Sequence, residues 1–591
     1  MAPDHPSLAI AQKLPNDVLC ELYKFCAAGD PPLSDNTPSR LTRPDARSTQ
    51  LAPTWCTSSE SVLPNGLYDR WNIGSWTNWR SSHNLSLGWL RLTHVCAHWR
   101  VVGLSLARLW GDILPMFPHH VEDILARSRD APVSLDMDAA CRALKRLPEM
   151  LSSEFPVSVF LHVAKQQIKR AHTITFPHTL RDGWSPSLLR DARLPYLETL
   201  RIDAIENEED ELCDLALHAP MLMHLDLRGT FSPCLIIPSL RYIKITDLFV
   251  SEDVGPLSNT TLLESFRSTP MLEELVLGLR YEFSGRALTP LKPILSNPIL
   301  PGTSAIPLPK LSYAQISAPL HALIDIIKNF DMPTDMSLNL IPRYQYNDSD
   351  ESLLPLLDAL SPRLRNPCME RISIAVGLNV DVCLASADAY SEPTARLFLR
   401  TSVYGGINDK FKCLAHYLSQ YLVRMEPTNI TTFHACSCQC PSKQSRGPAT
   451  EGAPQDCATL LHQLPSLTAL SVSCQPALHQ PFLCALESCL APETLETFTV
   501  YTDDARATAS DKLRPQIGLS PSDAQPALIE GKRRWESILA VLGHRVNNDR
   551  RLKRLILKGT RSDEASMKDV DARALREAAK LVEEVIDERT L

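Results

Sequence analysis

Apolar side chains recur along this chain in two rhythms, and each marks a different region. Within residues 65–114, which hold no proline, Leu92, Val95, Cys96, Trp99, Val102 and Leu106 follow one another at steps of three or four. That spacing lines one face of a helix, and a second short helix is expected from Ala107 to Ile113. Trp89, Trp99 and Trp110 all fall on this small unit, more large apolar surface than two short helices bury by themselves. A covering helix is expected upstream over Leu14–Cys26. There Pro15 suits a first turn, and Val18, Leu19, Leu22 and Phe25 or Cys26 keep helical spacing.

The second rhythm starts after Ala131 and reads Pro-x-Leu-x-x-Leu-x-Ile/Val/Leu. Copies begin at Pro195, Pro220, Pro238, Pro270, Pro309, Pro367 and Pro465; Pro492 starts a copy longer by one residue, and Arg550 one without the proline. The last two apolar positions are two apart, so both face one side of a strand. The earlier Leu turns inward from the loop feeding that strand, and proline ends whatever precedes it. Copies at Pro195 and Pro220 are 25 residues apart and those at Pro465 and Pro492 are 27. Gaps of 58 after Pro309 and after Pro492 are close to two units, so degenerate copies are expected inside them, such as Met336-Ser-Leu-Asn-Leu.

Helical patterns lie between the copies, at Asp210–His218, Thr261–Ser268, Leu320–Phe330, Leu353–Leu360, Phe411–Val423, Cys457–Leu464 and Trp535–Leu542. Strand, then helix, at such a period predicts the α/β class, as an irregular leucine-rich-repeat solenoid over 116–561 with parallel strands on one face and helices on the other. A doubly wound α/β domain would need long continuous apolar strands, which these are not. Residues 281–307, 344–350, 441–455 and 502–525 are polar or proline-rich breaks in the array. Asp563–Arg589 is amphipathic, and 562–591 is expected to close the last repeat as a capping helix.

Leu14-Pro15, then Val18-Leu19-x-x-Leu22, then Val95-Cys96-x-x-Trp99-Arg100 and Leu109-Trp110 resemble the F-box family. In the form found in mushroom-type fungi a variable insertion separates the first helix from the second. Ile124–Met137 is also similar to the segment just after the F-box in those fungal proteins, and an irregular repeat array commonly comes next. The resemblance implies a small all-α F-box-like domain over 1–115 with an inserted loop at about 27–86. Asp30–Ser61, rich in Pro, Ser, Thr and Arg, reads as a flexible insertion. Trp55, Trp71, Trp76 and Trp79 lie in it or just after it, and either pack beside the helices or form contact surface.

What the resemblance implies for function is substrate recruitment to a cullin–RING ubiquitin ligase. The helices would dock on a Skp-type adaptor, and through it a cullin, while the array holds an unknown target protein. Adaptor-binding candidates are Leu14, Pro15, Val18, Leu19, Leu22, Val95, Trp99, Leu109 and Trp110, apolar anchors of the kind a helix lays into a partner's groove. Some of these must instead hold the helices together, and spacing does not divide them. The alternative is a leucine-rich-repeat interaction scaffold unconnected with ubiquitin, whose N-terminal helices pack onto the array.

Composition narrows the field. At 591 residues the chain exceeds one compact core, and 44% hydrophobic with 22% charged residues is ordinary for a soluble globular protein. A net charge of −8 gives no general affinity for nucleic acid or anionic lipid. Residues 532–558 carry nine Lys or Arg against two acids, read as solvated surface. No membrane span or secretory signal is expected. Seventeen scattered cysteines fit reduced thiols in the cytoplasm or nucleus.

With 21 glycines and neither a phosphate-binding loop nor a nucleophile elbow, catalysis has no visible carrier, so an adaptor without cofactor is expected rather than an enzyme. His434, Cys436, Cys438 and Cys440, with Cys457, offer zinc-type donors, yet structural zinc usually places two residues between paired cysteines. Small side chains alternating into a strand's inner face is the favoured reading.

Overall fold

In a computed structural model, the structure describes residues 14–29, 88–146, 157–180, 184–203, 217–229, 235–250, 262, 265–281, 305–343, 354–365, 371–376, 380–385, 396–401, 422, 427–437, 453–473, 476–487, 492–501, 524–559, 561 and 565–590. They form two compact units. The first holds the described residues through Tyr281 together with Ile306–Lys310, and the second holds Ala305 and the described residues from Leu311 onward.

In the first unit, α1 (Asn16–Gly29), α2 (Ala97–Ser105), α3 (Ala107–Asp112) and α4 (Val121–Ser128) precede strand β1 (Val133–Leu135). Helices α5 (Met137–Arg146) and α6 (Val157–Gln167) follow, then β2 (Ala171–Phe176), β3 (Thr199–Asp203), β4 (His224–Arg228), β5 (Tyr242–Val250) and β6 (Glu274–Tyr281). The six strands pair in chain order, all parallel.

The motif explains this ladder. Leu197, Leu200 and Ile202 are 0% exposed, and so are Leu222, Leu225 and Leu227 in the next copy and Leu240, Ile243 and Ile245 in the one after. Each such side chain contributes about 1.5–3 kcal/mol by leaving water. Backbone bonds repeat with it: Met223 and His224 N–H both donate to Glu198 O, Arg241 and Tyr242 to Met223 O, and Glu273 and Glu274 to Arg241 O. One carbonyl per copy thus ties the mouth of each strand to the copy before it.

The second unit continues the pattern with β7 (Tyr313–Pro319), α7 (Leu320–Asn329), β8 (Ser337–Arg343), α8 (Leu354–Leu364), β9 (Arg371–Val376), β10 (Val380–Ala385), β11 (Arg396–Thr401) and β12 (Thr432–Ser437). Then come α9 (Ala453–His462), β13 (Ala469–Ser473), α10 (Pro476–Glu487), β14 (Thr497–Tyr501), α11 (Ala524–Asn547), β15 (Arg554–Lys558), α12 (Ala565–Leu581) and β16 (Glu584–Asp587). The strand expected at Met336-Ser-Leu-Asn-Leu is β8, parallel to β7.

Four expectations need correction. The array is not wholly parallel: β10 lies antiparallel between β9 and β11, because residues 377–379 are too short a connection for a parallel crossover. Among the described residues no strand fills the gap after Pro492; β14 pairs directly with β15. The long α11 occupies much of that gap. The C-terminal segment is not one helix: α12 stops at Leu581, and Glu584–Asp587 adds a strand beside β15. Finally, the helical face from Leu92 to Leu106 is interrupted. Residues Gly88–His94 form a 3-10 helix, and Cys96 is extended (φ −160, ψ 174), so α2 starts afresh at Ala97.

Strands β2 and β12 carry further copies of the motif, the second opened by Pro427: Ala171, Ile174 and Phe176, and Ile430, Phe433 and Ala435, are each at most 2% exposed. Of the seven expected helices, α7, α8, α9 and α11 are found; of Thr261–Ser268, Leu262, Ser265 and Phe266 are helical before a turn at Arg267, while most of Asp210–His218 and Phe411–Val423 lies outside the described residues, as do the four insertion tryptophans.

Candidate partner-binding site

The N-terminal helices sort their apolar residues into two sets. In α1, Leu19 N–H donates to Pro15 O at 3.0 Å, so the proline opens the first helical turn. Leu19 and Tyr23, one turn apart, are 0% exposed and face the other helices. Tyr23 Oη donates to Trp99 O at 2.9 Å, and burial, helped by nearby Cys96, pushes the phenol up to about 12. Its ring meets Trp89 edge-on at 5.9 Å, and Trp89 meets Trp110 edge-on at 5.3 Å. Trp110 Nε1 donates to Gly103 O, while the Arg127 guanidinium sits 4.7 Å above the Trp110 ring. The three tryptophans are therefore the cement of the bundle.

Of the sequence candidates, Leu19, Trp99 and Trp110 are buried inside this unit; the expectation that they could reach a partner is corrected, because the neighbouring helices already cover them. Leu14, Leu22 and Leu109 are half-buried, and Pro15, Val18 and Val95 are exposed. Sequence reasoning overlooked Val101 and Leu104 on α2 and gave no weight to Phe25 on α1. Phe25 is 78% and Val101 67% exposed, the highest values among the exposed large apolar side chains of the described residues. Val101 and Leu104 stand three apart, a signal the periodicity of α2 did contain. His98 Nε2 lies 3.2 Å from Leu14 O, joining the start of α1 to the start of α2.

Helix α3 is fastened to the array in the same unit. A Cβ at Gly111 would come within 2.3 Å of Pro132 O, so backbone passes against backbone. Asp112 Oδ1 lies 2.8 Å from His172 Nε2 on β2, and Arg108 pairs with Glu198 at 3.2 Å.

The strands' other face in this unit carries alternating charge. Arg201, Asp226 and Lys244 are register partners on β3, β4 and β5, as are Asp203 and Arg228. Arg201 contacts Asp138, Asp203 and Asp226, and Lys244 takes the last at 3.1 Å. Burial raises the Asp138 carboxyl above its usual range, with Arg201 opposing. The basic residues of 550–558 are likewise matched: Arg550 with Glu493, Lys553 with Glu496, Arg554 with Glu584 and Lys558 with Glu588. Arg545, in the same basic stretch, is an exception to the solvated-surface reading, because it is 2% exposed.

Among the described residues no group of three His, Cys, Asp or Glu side chains is placed to hold a metal; Cys438 and Cys440 lie outside them. No helix among them is long and apolar enough to cross a membrane.

By motif and ladder, the chain has a fold of the leucine-rich-repeat type. No protein-family model matches the chain, and no curated protein does. Among solved structures, the leucine-rich-repeat-containing protein LegL7 from Legionella pneumophila is similar over 57% of this chain and 90% of its own, at 15% identity and a TM-score of 0.22. At that level of likeness nothing about function transfers.

Proposed function

We propose that this protein is the substrate-recruiting subunit of a cullin–RING ubiquitin ligase, docking on a Skp-type adaptor through α1 and α2 and holding a target protein on its repeat array. The observation that carries the reading is the division of the N-terminal residues. Leu19, Tyr23, Trp89, Trp99 and Trp110 close the bundle, while Pro15, Val18, Phe25, Val95, Val101 and Leu104 remain outside as apolar surface. Exposed apolar residues in such number on two short helices and the residues leading into them fit a helix-in-groove partner.

The experiment is co-purification of full-length protein with the Skp-type adaptor, comparing wild type with Val18→Asp/Val101→Asp. Loss of the adaptor with an unchanged melting temperature supports the reading. Adaptor binding by neither protein, or equal binding by both, counts against it.

A second reading, an interaction scaffold without a ubiquitin link, is favoured by the fastening of α3 to the array through Gly111, Asp112 and Arg108. It predicts that wild type itself captures no adaptor.

A further inference from the structure

We draw no further inference here: the strongest candidate, the charged side-chain cluster of Asp138, Asp203 and Asp226 around Arg201 on the open sheet face of the first unit, has its carboxylates already engaged by Arg201 and Lys244, and nothing in the structure shows what covers it.

Discussion

Gly103 of α2 lies against the phenol of Tyr23 in α1: a Cβ built on it would stand 2.7 Å from Oη and 2.8 Å from Cζ, with Thr93 Cγ2 at 3.0 Å. Tyr23 is fully buried and hydrogen-bonded to Trp99 O, so its ring has little room to retreat. Gly103→Ala is expected to destabilise the first unit by about 1–3 kcal/mol, the usual range for overpacking. Tyr23→Phe removes the atom in closest conflict and loses one hydrogen bond, about 1 kcal/mol. The alanine should therefore cost less when combined with Tyr23→Phe, a coupling that a double-mutant denaturation cycle measures directly.

The two sets of N-terminal residues predict opposite phenotypes. Leu19→Ala, at a fully buried position, should cost about 2–5 kcal/mol in unfolding free energy. Phe25→Ser or Val101→Ser, on exposed side chains, should shift stability by no more than about 0.5 kcal/mol. If the proposed adaptor contact is made there, these exposed variants should weaken it at least about tenfold by titration calorimetry, the scale of a single anchor. Equal affinity in both would move the contact elsewhere.

Arg545 is 2% exposed and donates to Arg550 O, Pro492 O and Leu495 O, the carbonyls of the loops that feed β15 and β14. Burial, with Arg550 adding to it, pulls its guanidinium down to about 10. The same device appears where Arg363 donates to Met332 O and Arg170 to Ala131 O, each reaching the loop before an earlier strand. Arg545→Leu would leave buried carbonyls without donors and is expected to cost on the order of 3 kcal/mol. Lysine should rescue little, since a point ammonium cannot span the three acceptors. Chemical denaturation followed by circular dichroism tests both.

Two carboxyls predict pH dependences of opposite sign. Burial alone would raise Asp587, but hydrogen bonds from Arg589 and Arg561 outweigh it and hold the group at about 2. Ionised Asp587 therefore stabilises the fold above about pH 4, and the gain disappears as pH falls through about 2. Asp587→Asn should be weaker than wild type at pH 7 and converge on it in strong acid. Asp325 is pushed up to about 6 by burial, with Lys328 opposing. Its folded form resists ionisation, so stability is lost as pH rises from about 4 to about 6. Asp325→Asn should equal wild type in acid and exceed it at pH 7.

How much was legible beforehand depended on how local the cause was. The strands after Pro195, Pro220, Pro238 and Pro270 could be read directly, since proline and three apolar positions mark each one. Strands β2 and β12 escaped because alanine and phenylalanine stand at motif positions, and β2 has no proline before it. At the candidate site, Pro15, Val18 and Val95 face outward while Leu19, Trp99 and Trp110 face inward, a division that spacing left open. A tryptophan's size marks it as energetically important without saying whether its own chain or another covers it.

The order of residues alone determined the repeat ladder and its core. Three apolar side chains per copy must leave water wherever the copy sits, and a five-residue strand can hide them only by stacking on the next copy. Tertiary structure decided the rest. It turned β10 against its neighbours, drew Arg545 onto the distant carbonyls of Pro492 and Leu495 and set Gly103 beneath Tyr23. It also chose which stripe of α1 and α2 faces outward. Helical periodicity puts residues on a common face, but only the docking of a second element settles whether that face is interior or surface, and that contact spans 76 residues between Tyr23 and Trp99.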